Sequence, residues 1–186
     1  MKVGVLAVGK IDPEVIELIA QGLTRIYPDI TAQEIKHHVP IPPSALDKRR
    51  NQYNSTQILH KIEQYATNEK RFTIVLGVAD VDLYAAGLNY VFGEAFTPGL
   101  VALISLWRLK PSFYGADDDL FLYNLRIQKE AVHEVGHALG LSHCHHSYCV
   151  MHFSNSIFDT DKKQSLLCDQ CSLQAAIAIT NLGNPP

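Results

Sequence analysis

"HEVGHALGLSHCHHSYCVM", residues 133–151, places five histidines and two cysteines in nineteen positions. His133 and His137 stand four apart in a stretch of helical periodicity. That offset projects both imidazoles from one helix face about a turn apart, so they can share one ion. Gly140 follows three residues later, where a glycine can take positive φ, end the helix and reverse the chain. His143, three residues further on, can then return as a third ligand. A fourth position stays open for water, as a catalytic zinc requires. Glu134 need not ligate: its carboxylate is placed to hold that water and take its proton. Such an arrangement hydrolyses amides. H-E-x-x-H alone arises by chance in helices, and Gly140 alone is an ordinary helix cap; together with His143 they make zinc the specific reading. His145 and His146 read as exposed neighbours, although the sequence leaves an exchange with His143 open. His37, His38, His60 and His152 lack partner spacing and read as structural or surface residues.

The four cysteines all fall in the last quarter of the chain. Cys144 and Cys149 have four residues between them, Cys168 and Cys171 form a C-x-x-C knuckle, and 18 residues separate the pairs. Two disulfides or a redox C-x-x-C are the alternatives. A closed tetrahedral thiolate site for a structural zinc uses all four ligands and is preferred. It would pin a short tail that has little core of its own.

Working outward, strand-like and helix-like segments alternate. Residues 2–8 and 30–39 read as strands, with a helix between them capped by Asp12 and begun by Pro13. Residues 40–55 are proline-rich and polar and read as a surface loop, with a basic stretch at 47–53 that could reach a cleft. A helix over 56–66 and buried strands over 71–79 and 101–107 follow. Residues 87–96, with Gly93 and Pro98 close by, read as a short edge strand to which an extended peptide could add. Asp117–Asp119 offer caps for a long helix ending at Gly140. A last helix after Cys171 has Leu173, Ala176, Ile177 and Ile179 as its expected apolar face. The sum is an α/β (α+β) chain, a mixed sheet backed by helices.

A net charge of −3, with 47% hydrophobic residues, describes a core-forming protein with no electrostatic case for nucleic acid or membrane partners. The start, "MKVGVLAVGKIDPE", is too short for a secretory apolar segment and reads as a first strand. A cytoplasmic location is expected, where disulfides are rare. No upstream segment resembles a blocking prosegment, so narrow access or a narrow substrate range is expected.

"HEVGHALGLSH" followed by a methionine resembles the metzincin clan of zinc proteases. Cys144 directly after the third histidine, then Cys149, Met151 and "CDQC", resemble the archaemetzincin family over residues 133–171. The resemblance implies a twisted mixed sheet with an upper-rim strand and a second, structural zinc on the four cysteines. It also puts Met151 in a tight turn beneath the catalytic ion, as an apolar floor that does not ligate. The expected protein is a monomeric zinc metallopeptidase acting on peptides or proteins. Two zincs are expected per chain: one on His133, His137 and His143 with Glu134 as base, one on the cysteines. Residues 1–143 would form the sheet and active-site helix, and 144–186 a zinc-pinned subdomain. The rival reading is a non-catalytic, zinc-stabilised peptide-binding module on the same scaffold, against which an intact Glu134 argues. Tyr148 lies near the site in sequence and has no assigned role.

Overall fold

The computed structural model describes residues 1–96 and 99–183. β1 (Lys2–Val8) leads to α1 (Pro13–Ile26), where the Asp12 side chain accepts from the Glu14 amide and Pro13 opens the first turn. β2 (Thr31–Val39) runs parallel to β1. β3 (Leu46–Asp47) and β4 (Gln52–Asn54) form a short hairpin before α2 (Ser55–Asn68). β5 (Ile74–Ala79), β6 (Leu83–Tyr84), β7 (Gly93–Ala95) and β8 (Val101–Ser105) precede three helices. These are α3 (Leu120–Ala138), α4 (Ile157–Lys162) and α5 (Asp169–Gly183).

The main sheet has the order β2-β1-β5-β8-β7. Its first four strands are parallel, and β7 is antiparallel at the edge. This is the mixed sheet backed by helices that the alternating segments predict. β5 and β8 are buried along their whole length because helices cover both faces, which is why they read as unbroken apolar runs. Alternate residues feed two cores: Val3, Val5, Ile74 and Leu76 pack with α1 and α3, whereas Leu6, Val8 and Val75 pack with α2. The first of these cores also takes in Val150, Met151, Ile157 and Ile179 from the end of the chain. Among the described residues no helix is long and apolar enough to cross a membrane.

Three local expectations need correction. Residues 40–55 are not merely a loop: β3 and β4 join β6 in a second, three-stranded sheet. Its strands are only two or three residues long, too short for an alternating pattern to show in hydropathy. The 87–96 strand contracts to β7, preceded by a single bridge between Leu83 and Val91; Pro98 lies outside the described residues. The last helix begins at Asp169 and buries Cys171, Ala175 and Ile179, leaving Leu173, Ala176 and Ile177 exposed. Cys171, Ala175, Ala178 and Ile179 recur at helical spacing and form the face that packs on the core, so the period orients the helix once Cys171 is counted in it.

Candidate metal centre

The site is built on the end of α3. Asp119 caps its start, accepting from the Leu122 amide at 2.9 Å. At the other end Gly140 has φ of 93°, the left-handed conformation that its position in the sequence predicts. The Gly140 amide donates to the His137 carbonyl (2.8 Å) and the Leu141 amide to the Gly136 carbonyl (3.0 Å), which is the Schellman pairing. The chain is thereby turned back along the helix, and His143 comes to the same point as His133 and His137.

His137 Nε2 lies 3.1 Å from His133 Nε2 and 3.2 Å from His143 Nε2. The other nitrogens fix the first two rings. His133 Nδ1 donates to the Val150 carbonyl at 2.8 Å, and His137 Nδ1 donates to the Leu141 carbonyl at 2.7 Å. A carbonyl can only accept, so both protons sit on Nδ1 and the facing Nε2 atoms carry lone pairs. Two lone pairs at this distance repel unless a cation lies between them. Zinc about 2.0–2.1 Å from two nitrogens at a tetrahedral angle holds them roughly 3.3 Å apart, so the set fits that ion. Burial, with Lys163 nearby, pushes the His133 proton affinity well down; burial also lowers that of His137 and takes His143 down to about 4. Neutral imidazoles are the ligating form. His145 and His146 are exposed and stand outside this cluster, as does Tyr148.

Glu134 lies on the same helix, only 5% exposed, and lines a cavity of ≈ 590 Å³ together with His133, His137 and His143. Burial pushes its carboxyl well above the usual carboxylate range, with Glu130 adding to the shift and Lys163 opposing it. β7 passes directly over it. A Cβ on Gly93 would come within 2.6 Å of Glu134 Cγ and of the Leu103 carbonyl oxygen. That carbonyl belongs to the neighbouring strand and has no room to retreat. Gly93→Ala is therefore expected to cost about 1–3 kcal/mol through overpacking and to displace the carboxylate. Melting temperature and peptide turnover should both fall; a variant that matches the parent in both would contradict this packing.

The cysteines form the second cluster. All four are free, and their sulfurs lie within 4.8 Å of one another. Cys144 and Cys168 are 3.7 Å apart, far beyond the roughly 2.05 Å of a disulfide and close to the roughly 3.8 Å that a tetrahedral zinc–thiolate site imposes. Cys144 Sγ accepts from the His146 amide and Cys149 Sγ from the Cys168 amide, contacts that stabilise thiolates. Because Cys144 follows His143 directly, this cluster fixes the backbone that carries the third histidine.

Several residues that sequence reasoning missed hold the site together. Gly136 sits within the last turn of α3, where glycine is still less favourable than alanine, by up to about 1 kcal/mol. A Cβ there would collide with Met151 Sδ and fall 3.1 Å from the Tyr27 hydroxyl. Met151, fully buried, thus packs directly against the helix between the two histidines. Tyr27, also fully buried, donates to the Val132 carbonyl at 2.6 Å. The costly glycine was the one available signal for this contact. Further along, Arg126 grips Asp161 with two bonds of 2.7 Å, and Lys129 donates to the carbonyls of Thr160 and Asp161. These bonds dock α4 on α3. Across the cavity, the Tyr90 hydroxyl donates to the Asn155 carbonyl at 2.8 Å, tying the rim before β7 to the segment after Met151. The 47–53 stretch does not line the cavity, but Arg50 donates to the carbonyls of Leu88 and Asn89 on that rim.

Comparison with known proteins places this geometry in a family. The family model for peptidase family M54 matches residues 16–176. The archaemetzincin of Methanocaldococcus jannaschii is 41% identical over 171 residues, covering 92% of this chain and 90% of its own. That of Pyrococcus furiosus is 41% identical over 170 residues, covering 90% and 88%. Among solved structures, the archaemetzincin of Methanopyrus kandleri superposes with a TM-score of 0.85 at 31% identity, covering 97% of this chain and 96% of its own. The one from Archaeoglobus fulgidus, solved with malonate, gives 0.79 at 35% identity, with 94% and 99% covered. The chain therefore belongs to peptidase family M54, the archaemetzincins, and is a zinc metallopeptidase.

Proposed function

We propose that His133, His137 and His143 hold the catalytic zinc and that Glu134 is the general base for peptide-bond hydrolysis. The observation that carries this is the pair of imidazoles whose Nδ1 protons are committed to backbone carbonyls, leaving three Nε2 atoms converged beside a buried carboxylate. Bound there, zinc supplies Lewis acidity, polarising the scissile carbonyl and lowering the pKa of water towards neutrality. Glu134 then accepts the proton of the attacking water. Its raised proton affinity suits that transfer and the later return of the proton to the departing amine. The free edge of β7 offers backbone donors and acceptors to an extended peptide, which aligns the scissile bond over Glu134.

We assign a second, structural zinc to Cys144, Cys149, Cys168 and Cys171, giving two ions per chain. Residues 144–186 then act as a subdomain pinned by that ion against residues 1–143. Burial pushes the Cys149 thiol up, so metal binding there would release protons. A monomer in a reducing cytoplasm, acting on peptides or proteins and not on nucleic acid or membranes, completes the proposal.

The test is zinc content after dialysis, paired with cleavage of a peptide library. His143→Ala is expected to lose about one ion and all measurable turnover, while His145→Ala and His146→Ala keep both. Equal losses at His143 and His146 would sink the ligand assignment. A zinc-loaded parent that cleaves nothing would favour the non-catalytic binding module instead.

A further inference from the structure

Beside Glu134 the cavity ends in polar groups that the proposed hydrolysis does not use. Lys163 and Glu130 both line it, with side chains 1% and 4% exposed. The Lys163 ammonium lies 3.3 Å from Glu130 Oε1 and 3.5 Å from the His152 carbonyl, both long for a charged donor. Thr160 also donates to Glu130 Oε1, at 3.3 Å, so among the described residues Oε2 has no donor. Ser154 also lines the cavity, but its hydroxyl is closed to solvent and has no partner among the described residues. The helix docking described above fixes this group, because Arg126 and Lys129 hold the end of α4 immediately before Lys163. The bond between Tyr90 and Asn155 crosses the same cavity and narrows it.

Lys163 thus presents protons, and Glu130 presents a free acceptor. An apolar side chain filling this space would exclude water from the weakly held ammonium, which is unfavourable. A carboxylate would meet Lys163 but would lie among Glu130 and Glu134. A cationic side chain would meet Glu130 but face Lys163. A neutral group that both accepts and donates satisfies all of them without adding charge. We propose that this end of the cavity binds a carboxamide side chain of the substrate, glutamine or asparagine, and that Lys163 determines that preference. The carboxamide oxygen accepts from Lys163, and its NH₂ donates to Glu130. This rests on the peptide-binding reading of the cavity but not on turnover.

The test therefore reads binding and cleavage separately. Hexapeptides carrying Gln, Glu, Lys or Leu at each position in turn are titrated by fluorescence anisotropy into the zinc-loaded Glu134→Gln protein, which holds peptide without consuming it. The same peptides are offered to the wild type for cleavage. At one position the Gln peptide should bind about tenfold more tightly than Leu, Glu or Lys. Adding Lys163→Met should abolish that preference. Since Lys163→Met strands Glu130 and can impair folding, the double change Glu130→Leu/Lys163→Met is run beside it; replacing a buried ion pair by apolar residues of similar size is often tolerated. There the order should reverse in favour of Leu. A parent that prefers Leu, Glu or Lys at every position, or a preference for Gln that survives both variants, overturns the proposal. Wild-type protein that fails to cleave while the Gln preference in binding persists supports the pocket and overturns only the hydrolytic reading.

Discussion

Glu134→Ala is expected to keep its zinc and to lose on the order of 10²- to 10⁴-fold in peptide cleavage. The three histidines are untouched, and the orientation of His133 and His137 rests on the Val150 and Leu141 carbonyls, not on the carboxylate. Metal content should therefore equal that of the parent. What disappears is the group proposed to accept the proton of the attacking water. Glu134→Gln separates charge from shape: it keeps the side chain that fills the space beneath Gly93, yet cannot take a proton. Its loss of turnover should match that of Glu134→Ala. Turnover near the parent's in either variant would mean that another group serves as base.

The second large effect is on stability. Cys168→Ser removes one of four thiolates from a cluster whose zinc affinity is also folding free energy for the end of the chain. It is expected to lower zinc content by about one ion and to lower the melting temperature clearly. Turnover should fall as well, because Cys144 adjoins His143 and the loosened loop no longer presents that histidine. His133→Ala should also lose about one ion, but with much less loss of stability, since α3 is held by the sheet and by α1. Two ions retained in Cys168→Ser, with melting unchanged, would rule out the structural site. Metal-free protein without free thiols would restore the two-disulfide reading, contrary to the 3.7 Å separation of Cys144 and Cys168.

The parts of the site that were legible in sequence are the ones set by local geometry. A four-residue helical offset decides that His133 and His137 face together, and the positive φ of Gly140 decides that His143 can return. Both facts are written within eleven residues. The C-x-x-C knuckle and its upstream pair are equally local. What could not be read is what depends on contacts between distant segments. Glu130 meets Lys163 across 33 positions, and Tyr27 reaches Val132 across 105. The buried face of α5 was legible too: Cys171, Ala175, Ala178 and Ile179 stand at helical spacing, and the expected face of Leu173, Ala176, Ile177 and Ile179 went astray by leaving Cys171 out of the apolar stripe. Gly136 stands between these cases. A glycine within a helix is a local anomaly, yet only the position of Met151 shows what it accommodates.

The central claim is that one open zinc site performs the chemistry while a separate closed site holds the fold. A chelator titration of the wild type, following zinc per chain, peptide cleavage and melting temperature in the same samples, tests it most directly. The predicted result is that cleavage vanishes as the first ion leaves, with melting little changed, and that melting drops only when the second ion is removed. Cleavage that persists after the first ion is gone, or two ions that leave together as the protein unfolds, would contradict it.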